Sequence, residues 1–407
     1  MATRLDSLDL IRGIAVLGLP FMNIITFAMP MSAYLNPLSW DTTNPLNYPF
    51  FLFASVFFDQ RFLCLFALLF GAGAALLKDK LVSQRGRAVD IFVRRQLWLL
   101  LFGFLHAWFL WNGDILFIYA LLGLLLYPLL RLSVSGLYGG FALFMVLALY
   151  FGAISAVTPT QLGADGWRDL QAVFTPDDVQ LLAYRQIYLG DYDQLMQFMR
   201  GGNWDGGEMA GSAMDVLTQL LLSVACKALA MMCLGAALLR QGVLQGRGET
   251  SGYQRLALMG IGSGLLMSLW GVWWNHARGW DMAAWLNFGS LPNLLASVLM
   301  SLGYMGALCL WLQSGKWLWL QQGIRRVGQM ALSNYLSQSL ILAWLFFGWG
   351  LGWYASLGRE MLFVVALLIG IGQIMLSSVW LAYFRQGPME WLWRALTWWT
   401  VPPVRKH

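Results

Sequence analysis

His106 is the side chain in this sequence best suited to proton transfer. It stands in an apolar stretch, and a neutral imidazole can take a proton from a hydroxyl or an amine. Asn23, in an earlier apolar stretch, could polarise a carbonyl through its side-chain amide. If both stretches are helices that start at one membrane face, both side chains lie about 22 Å along them at 1.5 Å per residue. We therefore expect His106 and Asn23 to share a catalytic layer in the outer half of the membrane.

Asp114 is the carboxylate nearest to His106 in the sequence, eight residues further on. This separation is too long for a direct contact within one helix, but the carboxylate could still orient or tune the imidazole from just above it. The sequence leaves open two structural alternatives. In these, His106 is a hydrogen-bonded residue of the helix interior, and Asn23 makes an interhelical amide hydrogen bond.

Five further ionisable side chains fall in or at the ends of apolar stretches. A charge is costly there, so these side chains are candidates for a functional role. Asp9 and Arg12 are three residues apart and can pair on one helix face. Asp59 and Arg61 are two residues apart, so each needs a partner elsewhere, in water or on a ligand. Lys227 has no acid nearer than Asp215 within its own stretch. Ion pairs between helices and a substrate or proton-relay site are both compatible with this pattern.

Polar side chains also recur at 333–338. Asn334 and Gln338 are four residues apart and share a helix face, with Tyr335 beside them. Counted from the inner end of their stretch, they lie in its inner half. There they could hydrogen-bond another helix or line a polar channel.

The elements that position these side chains are predicted to be membrane-spanning helices. The chain has 407 residues, of which 59% are hydrophobic and 11% charged, whereas about 25% of the residues of a soluble domain are charged. This composition excludes an ordinary cytosolic enzyme, a disordered protein and a nucleic-acid-binding protein. Four cysteines without a CxxC pair and only three histidines predict neither a disulfide framework nor a metal site.

Apolar runs of about 20 residues are long enough to cross the hydrocarbon core as helices. The sequence predicts an all-α, polytopic membrane protein that forms one transmembrane domain over 1–407. We predict ten spans, at 8–30, 49–77, 91–111, 114–131, 136–157, 214–239, 255–275, 285–312, 327–347 and 361–384. The glycines of the stretch Gly71-Ala72-Gly73 are predicted to allow close helix packing.

The distribution of basic residues predicts the orientation. With the N-terminus inside, 19 of the 26 Lys and Arg residues lie in inner flanks, 5 in outer flanks, and Arg61 and Lys227 within spans. Both termini are therefore predicted to be cytoplasmic, and the protein is expected in the inner membrane of a bacterium.

One long insertion, 158–213, is predicted to form an extracytoplasmic cap. It is rich in acids, and Thr175-Pro176-Asp177 predicts a helix start with Thr175 as the N-cap. An amphipathic helix lying over the bundle is one interpretation. The other is a lid over a substrate site, for which the glycine-rich loop at 201–207 would give the needed freedom.

Five sequence blocks resemble the YeiB-like family of bacterial inner-membrane proteins. They are LDLIRGIAVLG at 8–18, FALLFGAG at 66–73, HAWFLWNGDIL at 106–116, GQMALSNYL at 328–336 and YFRQGPMEWLWR at 383–394. The blocks occur in order along almost the whole chain. The first span is also similar to that of the transmembrane acyltransferases, which include the heparan-α-glucosaminide N-acetyltransferases.

The acyltransferase resemblance implies an acetyl-CoA or other acyl-CoA donor on the cytosolic side and an acceptor on the other side. It implies a catalytic Asn in the first span, matched by Asn23, and a His shortly after it, whereas 29–40 contains none. We infer that His106 takes that place from another helix. Inner basic side chains would then hold the donor's phosphates; the candidates are Arg12, Arg94, Arg95, Arg325, Arg326 and Arg385. For Arg385, in the amphipathic segment 385–394, anchoring at lipid headgroups is the alternative.

Three functions are compatible with these observations. The first is acyl transfer to a sugar, lipid or other small-molecule acceptor. The second is transport or flipping of a small metabolite or lipid, with Asp59, Arg61 and Lys227 at the binding site. The third is a non-catalytic membrane scaffold or sensor. The expected partners are membrane lipids and not nucleic acid, and a homo-oligomer is compatible with the sequence.

Overall fold

The fold is built of helices, as the long apolar runs of the sequence predict. The computed structural model describes residues 5–82, 88–201, 205 and 208–406. An isolated antiparallel bridge pairs Phe384 with Arg405.

The helices before the cap carry both candidate catalytic side chains. They are α1 (Asp6–Gly18), α2 (Pro20–Ala28), α3 (Met31–Leu35), α4 (Asn47–Phe57), α5 (Arg61–Val82), α6 (Ala88–Phe109), α7 (Leu116–Leu129) and α8 (Val134–Ile154). The cap contains α9 (Pro159–Phe174), α10 (Asp178–Leu189) and α11 (Tyr192–Met199).

The helices after the cap complete the bundle. They are α12 (Gly211–Arg240), α13 (Thr250–His276), α14 (Met282–Ala284), α15 (Leu291–Ser314), α16 (Leu318–Gln329), α17 (Ala331–Phe346), α18 (Arg359–Tyr383) and α19 (Pro388–Trp398). A 3₁₀ turn at Val243–Gln245 and a π-helical turn at Trp285–Gly289 lie between them.

Seven segments in the described part of the chain are long and apolar enough to cross a membrane. They are Asp6–Ala28, Asn47–Leu81, Val134–Ile154, Gly211–Arg240, Thr250–His276, Leu291–Ser314 and Arg359–Tyr383. The other three predicted spans are also helical, but α7 has 14 residues, α17 has 16, and α6 carries charged side chains near its start. The chain is therefore an all-helical membrane protein, and the count of ten spans stays a prediction.

The first two predicted spans are not continuous helices. The first is divided at Leu19, where Pro20 begins α2 because proline has no N–H to continue the ladder of α1. The second is divided at Phe58–Gln60, and Gln60 has a positive φ of 61°. The second division leaves backbone and side-chain polar groups in the interior of the bundle.

Glycine allows α5 and α12 to touch through their backbones. A Cβ added at Gly71 would overlap the carbonyl oxygen of Met232, and one added at Gly235 would overlap that of Leu68. Gly71 therefore has the packing role that the sequence predicts, whereas a Cβ at Gly73 would meet nothing within 4 Å.

The cap packs on the bundle through both its first and its last helix. Phe174 of α9 meets Trp285 edge-on, with ring centroids 5.1 Å apart, while Leu195, Met196 and Met199 of α11 join a buried cluster with Trp111. The predicted helix start at Thr175 is wrong by two residues. Thr175 ends α9, and Asp177 caps α10 by accepting a hydrogen bond from Gln180 N at 2.8 Å.

Candidate active site

His106 and Asp114 form a buried, hydrogen-bonded pair. Helix α6 ends at Phe109 and the chain reverses, so that Asp114 stands at the start of α7 and accepts from the Phe117 backbone N–H at 2.7 Å. Because the chain reverses, the Asp114 carboxylate lies against α6, the helix that precedes it. His106 Nδ1 lies 2.8 Å from Asp114 Oδ1, which is a contact that one continuous helix would not allow.

Tyr335 joins this pair from α17. Its hydroxyl donates to Asp114 Oδ1 at 3.2 Å and accepts from the Ile115 backbone N–H at 3.2 Å. The sequence placed 333–338 in the inner half of the membrane and His106 in the outer half, and it did not predict this contact. Counting residues assumes upright helices that start in one plane, whereas α17 begins at Ala331 after a separate helix.

The free nitrogen of the imidazole is the group able to do chemistry. Only 5% of His106 is exposed, and an ionised carboxylate is an acceptor only, so Nδ1 carries the proton towards Asp114. Nε2 is then a lone-pair acceptor, and it has no hydrogen-bond partner among the described residues. Leaving a buried acceptor unpaired costs about 1–3 kcal/mol, so an unpaired Nε2 points to a role beyond stability.

Asn23 lies on the face of the first span that packs near this pair. Leu19, Asn23 and Phe27 are four residues apart and share one face of the first span. The ring of Phe27 stacks on Trp111, with centroids 4.6 Å apart, while Leu19 packs in a cluster with Tyr335.

The His106 ring lies between these two contacts of the Asn23 face. Its centroid is 6.3 Å from that of Trp111 and 5.5 Å from that of Tyr335. Asn23 is half-buried. It therefore lies on the face of the first span whose neighbours along the helix pack beside the imidazole.

The end of the cap is bonded to the turn that carries Asp114. Asn112 Nδ2 donates to the Met199 carbonyl at 3.0 Å, and the Tyr192 hydroxyl donates to the Phe109 carbonyl at 2.6 Å. The cap therefore covers the hairpin of α6 and α7.

Two of the predicted donor-binding arginines lie under the C-terminal helix. The Arg94 guanidinium is 4.0 Å from the ring centroid of Trp399, and that of Arg95 is 3.7 Å from the centroid of Trp393. Arg95 also lies close enough to Arg12 and Arg394 to interact electrostatically with both, so these three cations form one basic cluster at this end of the bundle.

The other donor-binding candidates lie apart from that cluster or are already bonded. Arg325 Nη1 is 3.0 Å from Asp6 Oδ2, and Arg326 is half-buried in α16. Arg385 is exposed and donates to the Arg405 carbonyl at 3.1 Å.

The remaining polar residues of α1 pair within their own helix, whereas those of α17 join it to α18. Arg12 Nη1 lies 3.2 Å from Asp9 Oδ1. Asn334 Nδ2 donates to Ser377 Oγ at 3.0 Å, and Gln338 Nε2 donates to Gln373 Oε1 at 2.7 Å. For Asn334 and Gln338 the structure thus shows interhelical hydrogen bonds.

A second buried polar cluster surrounds the division of the second span. Asp59 accepts from the Tyr34 hydroxyl and from Asn293 Nδ2. Arg61, which is fully buried, donates to Asn293 Oδ1 and to Ser268 Oγ, each at 2.5 Å.

Lys227 reaches the same division from α12. It donates to Gln60 Oε1 and, at 3.3 Å, to Ser297 Oγ. Sequence reasoning identified Lys227 but missed its partners, because amides and hydroxyls in apolar stretches give no sign of which helix they will face.

Glu390 is a second residue that sequence reasoning missed. From α19 it accepts from the backbone N–H groups of Leu332 and Ser333 at 2.7 and 3.1 Å, and from Ser333 Oγ at 2.5 Å. It therefore caps α17 from outside that helix. Burial raises the pKa of Glu390, and its hydrogen bonds with Ser333 and Leu332 oppose that rise.

Full-length relatives occur in bacteria. The chain is 32% identical over 399 residues to the "Uncharacterized protein YeiB" of Escherichia coli (strain K12), covering 96% of this chain and 95% of that protein. It is 27% identical over 420 residues to the "Uncharacterized protein YxaH" of Bacillus subtilis (strain 168), covering 99% and 96%. A family model described as "Protein of unknown function (DUF418)" matches residues 238–400.

Proposed function

We propose that this chain, which belongs to the YeiB-like family of membrane proteins, is an acyltransferase. The donor is a cytosolic acyl-CoA, and the acceptor is a hydroxyl or amine of a molecule in or beyond the membrane. The observation that carries this proposal is the buried His106 imidazole, whose Nδ1 is bonded to Asp114 and whose Nε2 is unpaired.

The proposed reaction uses each atom of this arrangement. Nε2 of His106 removes the proton from the acceptor as its oxygen or nitrogen attacks the thioester carbonyl. The Asn23 amide donates to the oxyanion that forms. When the tetrahedral intermediate collapses, the C–S bond breaks and Nε2–H returns the proton to the leaving thiolate. Asp114 holds the imidazole in the productive tautomer and stabilises its transient positive charge, with Tyr335 bonded to the same oxygen.

The proposed topology brings both substrates to this site. Ten spans with both termini cytoplasmic, in a bacterial inner membrane, would put Arg12, Arg95 and Arg394 on the side where acyl-CoA is present. The acceptor would enter from the other side, beneath the cap at 158–213.

Two measurements on purified protein in lipid nanodiscs test the proposal. The first is thermal stability with acetyl-CoA, CoA or ATP, where we expect stabilisation by the two CoA compounds and not by ATP. The second is release of CoA thiol from acetyl-CoA, with water or added acceptors. His106→Gln should lower that release by about 100-fold or more, the usual scale of general base catalysis.

His276→Gln is the matched control, because His276 bonds the Tyr48 hydroxyl far along the chain from the pair. It should leave thiol release unchanged. Thiol release by His106→Gln at the rate of the control would refute the mechanism.

Transport is a second candidate, favoured by the buried charges at the division of the second span. Divided helices form the substrate sites of many transporters. Uptake of a solute into proteoliposomes without acyl-CoA, retained by His106→Gln and lost in Lys227→Gln, would favour transport over acyl transfer.

A further inference from the structure

A cavity of about 170 Å³ opens at the division of the second span. Asp59 and Asn275 provide polar groups of its wall, and Trp280 and Trp285 provide aromatic surface. The volume is smaller than the roughly 300–1,000 Å³ of most ligand pockets, so it suits a small molecule. His106 does not line the cavity, which is therefore a second candidate site.

The charges at the cavity favour an uncharged occupant. Among the described residues that line it, Asp59 is the only charged one, and its carboxylate would repel an anion. Arg61 and Lys227 do not line the cavity, but both interact electrostatically with that carboxylate. Because these basic groups already compensate its negative charge, a cationic ligand gains little from it.

The polar groups of the wall require hydrogen-bond donors. Asn275 is buried, its Nδ2 donates to the Gly289 carbonyl at 3.1 Å, and its Oδ1 has no partner in the part of the chain that the structure describes. Asp59 accepts one hydrogen bond at each oxygen, from Tyr34 and from Asn293, whereas an ionised carboxylate has about four acceptor sites. Hydroxyl groups are uncharged donors that can satisfy both residues.

Aromatic rings give the cavity an apolar side as well. Phe51 and Trp280, which both line it, meet edge to face with ring centroids 5.1 Å apart. Trp285 lines it next to the cap, where its ring meets that of Phe174. Apolar surface is more stable against C–H groups than against water. An occupant with both hydroxyl and C–H groups therefore fits this wall better than water does.

We propose that this cavity binds a small uncharged polyol. Hydroxyl groups of the ligand donate to Asn275 Oδ1 and to the remaining lone pairs of Asp59, while its C–H surface packs on the aromatic rings. The ligand enters from the side of the cap, because Leu35 and Trp285 line the cavity and also pack with Phe174 of α9. The assignment does not depend on acyl transfer.

Sorbitol, gluconate and glucamine test this assignment as a matched set. They share one hydroxylated six-carbon chain and differ at one end, which is an alcohol, a carboxylate or an ammonium group. Polyols stabilise many proteins by exclusion from their surface, so a melting temperature would not report binding. Binding of radiolabelled sorbitol is therefore measured directly, by scintillation proximity, on the full-length protein in phosphatidylcholine nanodiscs. We expect saturable binding that unlabelled sorbitol displaces at least about tenfold better than gluconate or glucamine does.

Asn275→Leu locates the site. This substitution keeps the size of the side chain and removes Oδ1, so it should weaken sorbitol binding about three- to tenfold, the usual scale of one hydrogen bond. Gly73→Ala is the control and should leave sorbitol affinity unchanged, because Gly73 lies outside the cavity wall and a Cβ there meets nothing within 4 Å.

Asp59→Asn removes the carboxylate and should change the ligand preference in two directions. The preference for sorbitol over gluconate should shrink about tenfold, because the repulsion of the anion is lost, and the preference for sorbitol over glucamine should grow. A ratio of two affinities does not depend on the fraction of protein that is folded, so a folding defect cannot mimic these shifts.

Several outcomes would overturn the assignment. Absence of saturable sorbitol binding would mean that the cavity holds only water. Equal or tighter binding of gluconate or glucamine would contradict the charge argument, as would unchanged preferences in Asp59→Asn. Wild-type sorbitol affinity in Asn275→Leu would place the bound polyol elsewhere on the protein.

Discussion

Replacing Asp114 by Asn should reverse the tautomer of His106. Three donors converge on this carboxylate, from His106, Tyr335 and the Phe117 backbone. If the amide oxygen of Asn keeps the bond to Phe117 that begins α7, its NH₂ group faces His106 Nδ1. Nδ1 must then become an acceptor, and the proton moves to Nε2.

The size of this effect follows from the bond that is lost. A hydrogen bond to a charged group contributes about 1.5–3 kcal/mol, which corresponds to a preference of about 10-fold to 150-fold for the Nδ1–H tautomer. With Nε2 protonated, the lone pair of the imidazole is on Nδ1, which faces residue 114, so no lone pair is available at Nε2 for the acceptor's proton. Thiol release should therefore fall by about 100-fold or more, as it should in His106→Gln.

The tautomer can be measured without any activity assay. The chain contains three histidines, so selective ¹⁵N labelling gives only three pairs of ring signals, which His106→Gln assigns. We expect a protonated Nδ1 at His106 in the wild type and a protonated Nε2 in Asp114→Asn. Tyr335→Phe is the control, because it keeps the carboxylate and should keep the wild-type tautomer. A protonated Nε2 in the wild type, or no change in Asp114→Asn, would refute the reasoning.

Two further predictions concern stability. Gly71→Ala should lower the apparent melting temperature because the new Cβ overlaps the Met232 carbonyl, and overpacking of this kind costs about 1–3 kcal/mol. Gly73→Ala is the control and should not lower it, since a Cβ there meets nothing within 4 Å. Equal effects of the two substitutions would contradict the proposed backbone contact. Burial raises the pKa of Glu390 above its ordinary 4.5, so the folded state binds this proton more tightly than the unfolded state. The melting temperature of the wild type relative to Glu390→Gln should therefore rise as the pH is lowered from about 7 to about 5, and a fall would contradict the buried carboxylate.

The positions of the helices could be predicted from the sequence because hydropathy is a local property. Each predicted span coincides with at least one helix, and Pro20 was a visible sign of the first division. The second division was not visible, since Phe58–Gln60 contains neither Pro nor Gly, and Gln60 adopts a positive φ that only the surrounding contacts can impose.

The candidate site could be predicted only as a set of residue types. His106 and Asp114 were identifiable as polar residues in an apolar region, but their contact depends on where α6 ends. The contact of Tyr335 with Asp114 was not predictable, because it joins two helices that are far apart in the sequence. Partners across a bundle are non-local, so one sequence does not indicate which helices meet.

The two attachments of the cap also constrain the order in which the protein can assemble. Its last helix, α11, bonds to the hairpin of α6 and α7, which is synthesised earlier. Phe174 in its first helix packs with Leu35, which is also synthesised earlier, but it meets Trp285 only after two more long helices have been made. The packing of α9 is thus completed late, and chains that end before Trp285 should leave α9 more accessible to protease than the full chain does.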